Sequence, residues 1–405
     1  MLHSLKAALL ACRVVFLAAT SVDAQTRWQF EDLAPPAGSG AREPNLALSP
    51  DGSILLSWME RNAEGTAVRM ARFQGGEWQA PETITSSEDL FVNWADFPSI
   101  AAFADGTLVA HWLQATQRFS YDYDVNLSFS DGSGNGWSTP LAPYTDNTEA
   151  QHGFVSLLPV GADIMAVWLD GRAYDGASIE PDAIVDGMQL RTTTLSPDGQ
   201  FTQDTALDFM TCSCCQTAAT LAGDDLLVVY RDRTEAEIRD ISLVALRDGV
   251  WSAPQPVHDD GWELSGCPVN GPAIEAHDEE VIVAWFTAAD DEPAVQIAFS
   301  SDAGVTFGDA VRIDGGAPEG RVDAVMLDDG RALVSWLEWS DTEEVLFLCE
   351  VDVTGCDAPQ VVATNPNGGS MNFPRMVALG DTIFLALTYP MQDGSDTIRV
   401  LRSTE

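Results

Sequence analysis

Short apolar runs alternate with polar turns along nearly the whole chain, and seven of these runs carry an aromatic residue at or near their end: Trp58, Trp112, Trp168, Tyr230, Trp285, Trp336 and Tyr389. The interval between successive aromatics is close to constant, and self-similarity at a period of roughly 50 residues is the signature of stacked blades. Each run follows a turn, most clearly at Asp51-Gly52, Asp105-Gly106 and Asp329-Gly330. Asp-Gly accepts the positive φ angles of a tight hairpin turn, so each apolar run reads as the second strand of a hairpin. The pattern predicts an all-β, seven-bladed β-propeller.

The second copy shows the detail. Pro98–Phe103 reads as an inner strand, Leu108–Trp112 as its hairpin partner, Val125–Ser130 as a third strand, and Trp137-Ser-Thr-Pro140 as the start of the outer one. The aromatic-x-x-Pro ending recurs at Trp78–Pro81 and Trp251–Pro254. Proline is tolerated there because an outer strand has an unpaired edge. The last copy, from Phe373 to about Arg402, supplies only three strands. Trp28–Leu33 near the start is predicted to be its fourth, closing the ring and removing exposed edges.

Met1–Ala24 has a different character. Lys6 precedes an apolar stretch, and small residues lead up to Gln25, which reads as a secretory signal with export to the periplasm or beyond. Cys12 after Leu-Leu-Ala faintly resembles a lipoprotein cleavage box, but the apolar run continues past it. The remainder, 25–405, is expected to be a single propeller domain without a membrane span.

The formal net charge is -42, and Lys6 is the only lysine. A field of that sign repels nucleic acids and anionic membranes, so neither is an expected partner. A solvated acidic surface accounts for the charge. Asp122 and Asp124 offer oxygens for calcium, but no full calcium-loop pattern accompanies them.

Removing Cys12 with the signal leaves six cysteines, an even number suited to an oxidising compartment. Cys349 and Cys356 flank a strand end and turn, a natural local disulfide. Cys212, Cys214, Cys215 and Cys267 are less ordinary. In one reading Cys267 pairs with one of the clustered three, and the other two are bonded to each other or left as thiols. In the other, Cys212, Cys214, Cys215, Cys267 and His258 hold a soft metal such as copper or zinc.

A propeller presents its ligand at one end of the channel, where loops enter the inner strands and leave the second strands. Aligning the copies places Asn45, Trp94, Asp96, His152, Thr211–Thr217, Cys267, Asn270, Arg321 and Asn372 among the entering loops. The leaving loops bring Glu60, Asp170, Arg172, Arg231, Asp232, Arg233, Arg239, Asp240 and Glu338. Arg172, Arg231 and Arg233, with His152 and Asn270, are the ligand-binding candidates, because guanidinium forks recognise carboxylates bidentately. Asp96 and Asp232 are the candidate acid/base groups. The competing reading is that interleaved Asp232, Glu235, Glu237 and Asp240 simply pair with the arginines. His111 reads as structural. Neither a nucleophile elbow nor a phosphate-cradling glycine loop is present.

Ser300-Ser-Asp-Ala-Gly-Val-Thr-Phe307 resembles the Asp-box hairpin of the sialidase (neuraminidase) superfamily, with degenerate copies at Ser130–Trp137 and Ser196–Gly199. With the blade repeats, nearly the whole chain after the signal resembles a secreted bacterial BNR-repeat protein of that type. The resemblance implies a six-bladed ring as the alternative to the seven counted. It also implies an arginine triad for sialate, a Tyr/Glu nucleophile pair and an Asp acid/base. The Arg-Ile-Pro motif that usually carries the first arginine is absent; Arg42-Glu-Pro-Asn45 stands in that region. The expectation is therefore capture of an anionic glycan or similar carboxylate ligand, with exo-sialidase or other glycoside hydrolase activity as the alternative. Extracytoplasmic copper or zinc binding through the Cys/His cluster is the second alternative.

Overall fold

A computed structural model describes residues 28–63, 65–116, 122–134, 136–173 and 187–404. The expected signal at 1–24 lies outside them. Seven antiparallel sheets follow one another along the chain as the blades of a β-propeller. The innermost strands are Arg42–Leu48, Ser99–Ala102, His152–Val160, Ala218–Ala222, Ala273–His277, Pro318–Met326 and Arg375–Leu379. Each pairs with the strand that carries one of the seven aromatics.

The ring closes as the sequence pattern predicts. Gln29–Asp32 pairs with the last strand, Asp396–Thr404, in the register Gln29 to Thr404. The seventh blade is thus built from both ends of the chain. The outer strand of the second blade differs from expectation. Trp137-Ser-Thr-Pro140 forms no strand; the segment is held to the third strand by the Ser138 N–H on the Phe129 carbonyl at 2.8 Å and by an isolated bridge between Leu127 and Leu141. Pro140 has no N–H to donate, which limits a continuous ladder. In the first and fourth blades the outer edge is likewise split, into Glu77–Trp78 and Glu82–Ser87, and into Val250–Trp251 and Gln255–Pro256, with Pro81 and Pro254 at the breaks.

The repeated aromatics are the joints between blades. Trp58 packs against Phe384 and Val400 of the seventh blade, Trp168 against Val125 and Leu127 of the second, and Trp336 against Val295 and Ile297 of the fifth. Each of these tryptophans is fully buried. Removing an indole of about 200 Å² from water contributes on the order of 5 kcal/mol. A buried indole N–H also needs an acceptor. Trp58, Trp168 and Trp336 each donate to the carboxylate two residues on: Glu60 at 3.0 Å, Asp170 at 2.8 Å and Glu338 at 2.6 Å. These acidic groups at the strand ends are therefore part of the blade joint.

A second device repeats on the inner strands. Glu43, Phe154 and Arg321 sit at irregularities in their ladders with φ of 53°, 55° and 54°. Each backbone N–H turned out of register is received by a side chain of the preceding blade: Thr388 Oγ1, the Asp96 carboxylate and Asn270 Oδ1. Gly153 lets Asp96 approach, since a Cβ there would collide with the Asp96 carboxylate. The Ser300–Phe307 turn, which resembles an Asp-box, lies at the edge of the fifth blade, where Asp302 accepts from the Thr306 N–H at 2.8 Å and its hydroxyl at 2.7 Å.

Candidate functional site

The fourth and fifth blades hold the clustered cysteines and two of the three candidate arginines, Arg231 and Arg233. Arg231 is 1% exposed, and its three guanidinium nitrogens donate to the carbonyls of Asn270 (2.8 Å), Arg239 (2.5 Å) and Phe286 (2.6 Å). The Trp262 ring covers its face at 4.9 Å. Arg233 and Arg239 both converge on Glu237, the latter at 2.7 Å. Their positive charge is thus matched locally, as the ion-pair reading of this stretch expects. Asp232 accepts from the Arg233 N–H and the Ser242 hydroxyl; burial and then the nearby Asp208 push its carboxyl up to about 6. Asn270 is an inter-blade clamp, accepting from Arg321 N and donating to the Glu319 carbonyl at 3.0 Å.

Cys214 is bonded to Cys267, joining the fourth and fifth blades, and Cys349 to Cys356. Cys212 and Cys215 are buried free thiols with sulfurs 2.9 Å apart. Burial resists ionisation of both. The Cys215 thiol and the Arg239 and Arg231 guanidiniums nevertheless draw Cys212 below the usual thiol range, and Cys215 is pushed above it. His258 stands elsewhere, bonded to Asp260 at 2.9 Å beside Trp285. Cys212, Cys214 and Cys215 lie together and Cys267 is bonded to Cys214, as the disulfide reading expects, whereas His258 does not join them.

The other candidates gather between the second and third blades. His152 opens an inner strand with its side chain wholly buried against Tyr144, the ring centroids 4.3 Å apart. Its Nδ1 lies 3.4 Å from Asp124, and its Nε2 3.8 Å from Asp146 and 3.7 Å from Asp170. Burial alone would depress this imidazole, but Asp124, Asp146 and Asp170 outweigh it and raise it to about 9. Arg172 is held by Asp170 at 2.7 Å and Asp204 at 3.0 Å. Asp96 is 2% exposed, and burial raises it to about 7 although the Phe154 N–H and Tyr123 hydroxyl favour its charged form. Both of its oxygens serve the clamp on Phe154, so it is enclosed in the blade joint.

The expected single site is thus two neighbourhoods, with a third group where the starts of the second, sixth and seventh blades meet. Arg321 lies beside the stacked pair Trp94–Phe373, whose ring centroids are 5.8 Å apart, at 4.7 Å from the Trp94 centroid and 4.8 Å from that of Phe373. It donates to the Val269 carbonyl, and its Nε is buried without a hydrogen bond. Trp94 is 41% exposed. Trp339, 43% exposed, donates to Glu319, which neighbours Arg321 and Glu344. Burial and then Glu319 push the Glu344 carboxyl up to about 7, against the Ser370 and Met371 donors. The repeat alignment already placed Trp94 and Arg321 at the mouth; their exposure and stacking carried no sequence signal. Trp339 sits one residue past the Trp336–Glu338 pair, a position the alignment passes over.

No family model matches the chain, and no curated protein is similar to it in sequence. Solved structures are similar in fold. A Dyadobacter fermentans protein of unknown function is 15% identical, covering 92% of this chain and 97% of its own, with a TM-score of 0.52. The phage phi92 endosialidase is 12% identical over 93% of this chain and 69% of its own, with a TM-score of 0.52. The polysaccharide lyase Uly1 is 9% identical over 90% of each chain, with a TM-score of 0.51. At these identities the likeness concerns the fold: the chain is a β-propeller similar in architecture to an endosialidase and a polysaccharide lyase.

Proposed function

We propose that the protein is an exported propeller of the sialidase-like, Asp-box type that captures a carboxylate-bearing saccharide at its channel mouth without hydrolysing it. The observation that carries this reading is Arg321, placed beside the stacked Trp94–Phe373 pair with an Nε that makes no hydrogen bond. A guanidinium in that setting receives a carboxylate, while the exposed indole faces of Trp94 and Trp339 offer the flat apolar surface on which a sugar ring stacks. In a molecule of net charge -42, a cation at the mouth is where an anionic ligand meets least repulsion. The earlier arginine candidates contribute less, because Arg172, Arg231 and Arg233 are engaged by the protein itself. Export is supported by the signal-like start and by two disulfides, which suit an oxidising compartment.

Calorimetric titration with sialosides and uronides tests the reading. We expect binding that Arg321→Ala and Trp94→Ala each weaken at least about tenfold, and no release from fluorogenic sialosides or uronides. Failure of every acidic saccharide to bind would sink it. Turnover would favour a hydrolase, for which Glu344 with Glu319 is the carboxyl pair that the geometry offers.

A further inference from the structure

We propose that His152, Asp146 and Asp170 form a site for one divalent transition-metal ion of the zinc type, with Asp124 orienting the histidine. The proposal is independent of saccharide capture at the mouth. It begins with buried polar atoms left unmatched. Both ring nitrogens of His152 and both carboxylate oxygens of Asp146 are buried without a hydrogen bond. Buried polar groups are nearly always partnered, so four such atoms in one place mark a missing occupant.

The arrangement suits an ion. The nearest donor atoms of Asp146, His152 and Asp170 all lie within 4.8 Å of one another. The Nε2 separations of 3.8 Å and 3.7 Å from the two carboxylates are too long for hydrogen bonds. They leave room for a cation between them. Zinc sits about 2.1 Å from imidazole nitrogen and carboxylate oxygen, so its ligands stand roughly 3.5 Å apart. A contraction of a few tenths of an ångström brings Nε2 to that separation from each carboxylate. On the other side of the ring, Nδ1 faces Asp124 at 3.4 Å, and Asp124 also accepts from the Tyr144 hydroxyl at 2.9 Å. A carboxylate behind a ligating histidine fixes its tautomer and strengthens it as a ligand.

Charge points the same way. Four carboxylates, Asp124, Asp146, Asp170 and Asp204, face two guanidiniums, Arg172 and Arg191. Arg172 is held by Asp170 at 2.7 Å, and Arg191 by Asp204 at 2.6 Å. Asp124 and Asp146 are left with two negative charges, which one divalent ion matches when it displaces the proton of the imidazole. Asp146 and Arg172 also line a cavity of about 450 Å³ with Thr145 and Asp204, which gives the ion a route from solvent. A mixed nitrogen and oxygen donor set favours zinc-like ions; calcium prefers six to eight oxygens.

The test is titration of Zn²⁺ against a chromophoric chelator, using metal-free protein and variants whose folding is checked by circular dichroism. We expect one zinc per chain, bound at least a hundredfold more weakly by His152→Ala and by the near-isosteric Asp146→Asn. Asp124→Asn should weaken it about ten- to a hundredfold. The double variant Cys212→Ser/Cys215→Ser should bind as wild type does, since its thiols belong to the other neighbourhood. Zinc lost only in the cysteine variant would overturn the proposal. So would absence of zinc binding with a His152 ring that NMR shows doubly protonated near neutral pH. If His152→Ala does not fold, Asp146→Asn decides, and unchanged affinity there overturns the site.

Discussion

Arg231 and His152 occupy comparable places, each beside the strand ends that face the channel mouth, and each is a wholly buried nitrogen base. Their surroundings differ. Every guanidinium nitrogen of Arg231 reaches a carbonyl at hydrogen-bonding distance, whereas neither ring nitrogen of His152 makes a hydrogen bond. A buried group whose donors are all received holds the structure together. One whose nitrogens face carboxylates at 3.4 Å to 3.8 Å is arranged around something else. Sequence patterns put both in the same list of candidates, and satisfaction of their polar atoms separates them.

The contrast makes its largest prediction at Arg231. Arg231→Ala leaves three carbonyls without a donor and a void beneath Trp262, and should cost about 5 kcal/mol in chemical denaturation. A loss below about 1 kcal/mol would mean that Arg231 is not structural. His152→Ala in metal-free protein breaks no hydrogen bond; it should cost less than Arg231→Ala, through lost packing on Tyr144 and the carboxylates left without the imidazolium.

Asp96 sharpens the comparison through pH. Its folded carboxyl sits at about 7, above an unfolded value near 3.8, so the protonated form is the one that folding favours. Its contribution is fully present below about pH 4 and is lost as pH rises through 7, on the order of 4 kcal/mol. Asp96→Asn keeps an acceptor for the Phe154 N–H and removes the titrating proton, and should flatten that part of the stability profile. An unchanged slope between pH 4 and 7 would show that another group carries it.

The disulfides come next. Cys214–Cys267 closes a sequence separation of 53 residues and Cys349–Cys356 one of 7. Loop-closure entropy then gives about 4 kcal/mol for losing the first through Cys267→Ser and about 2 kcal/mol for losing the second through Cys356→Ser. Equal losses would point to strain or residual structure in place of loop length. The smallest effect belongs to the mouth: Trp94→Ala should leave stability within about 1 kcal/mol, because the indole is already partly in water, while saccharide affinity falls.

The sequence by itself determined the architecture. Asp-Gly turns, seven aromatics at a regular interval and a final copy short of one strand leave few ways to bury the apolar faces except a closed ring, and Gln29–Asp32 completes it. These are local signals of turn chemistry and period, and a repeat states them seven times. Outer edges were less legible: Trp137–Pro140 has the composition of an outer strand but forms no strand, because edge pairing depends on a neighbour as well as on propensity.

The site was legible only as a list. Alignment brought Arg172, Arg231, Asp232, Arg233, His152 and Asp96 to one face, since register within a blade is local. Which of them were engaged was decided by contacts across blades, between residues such as Asp96 and Phe154 that lie 58 positions apart. The three carbonyls that receive Arg231 and the three carboxylates around His152 come from separate segments, and nothing in either residue's own sequence neighbourhood announces them. Sequence periodicity fixes where a side chain begins; whether its polar atoms find partners depends on distances that exist only once the ring has closed.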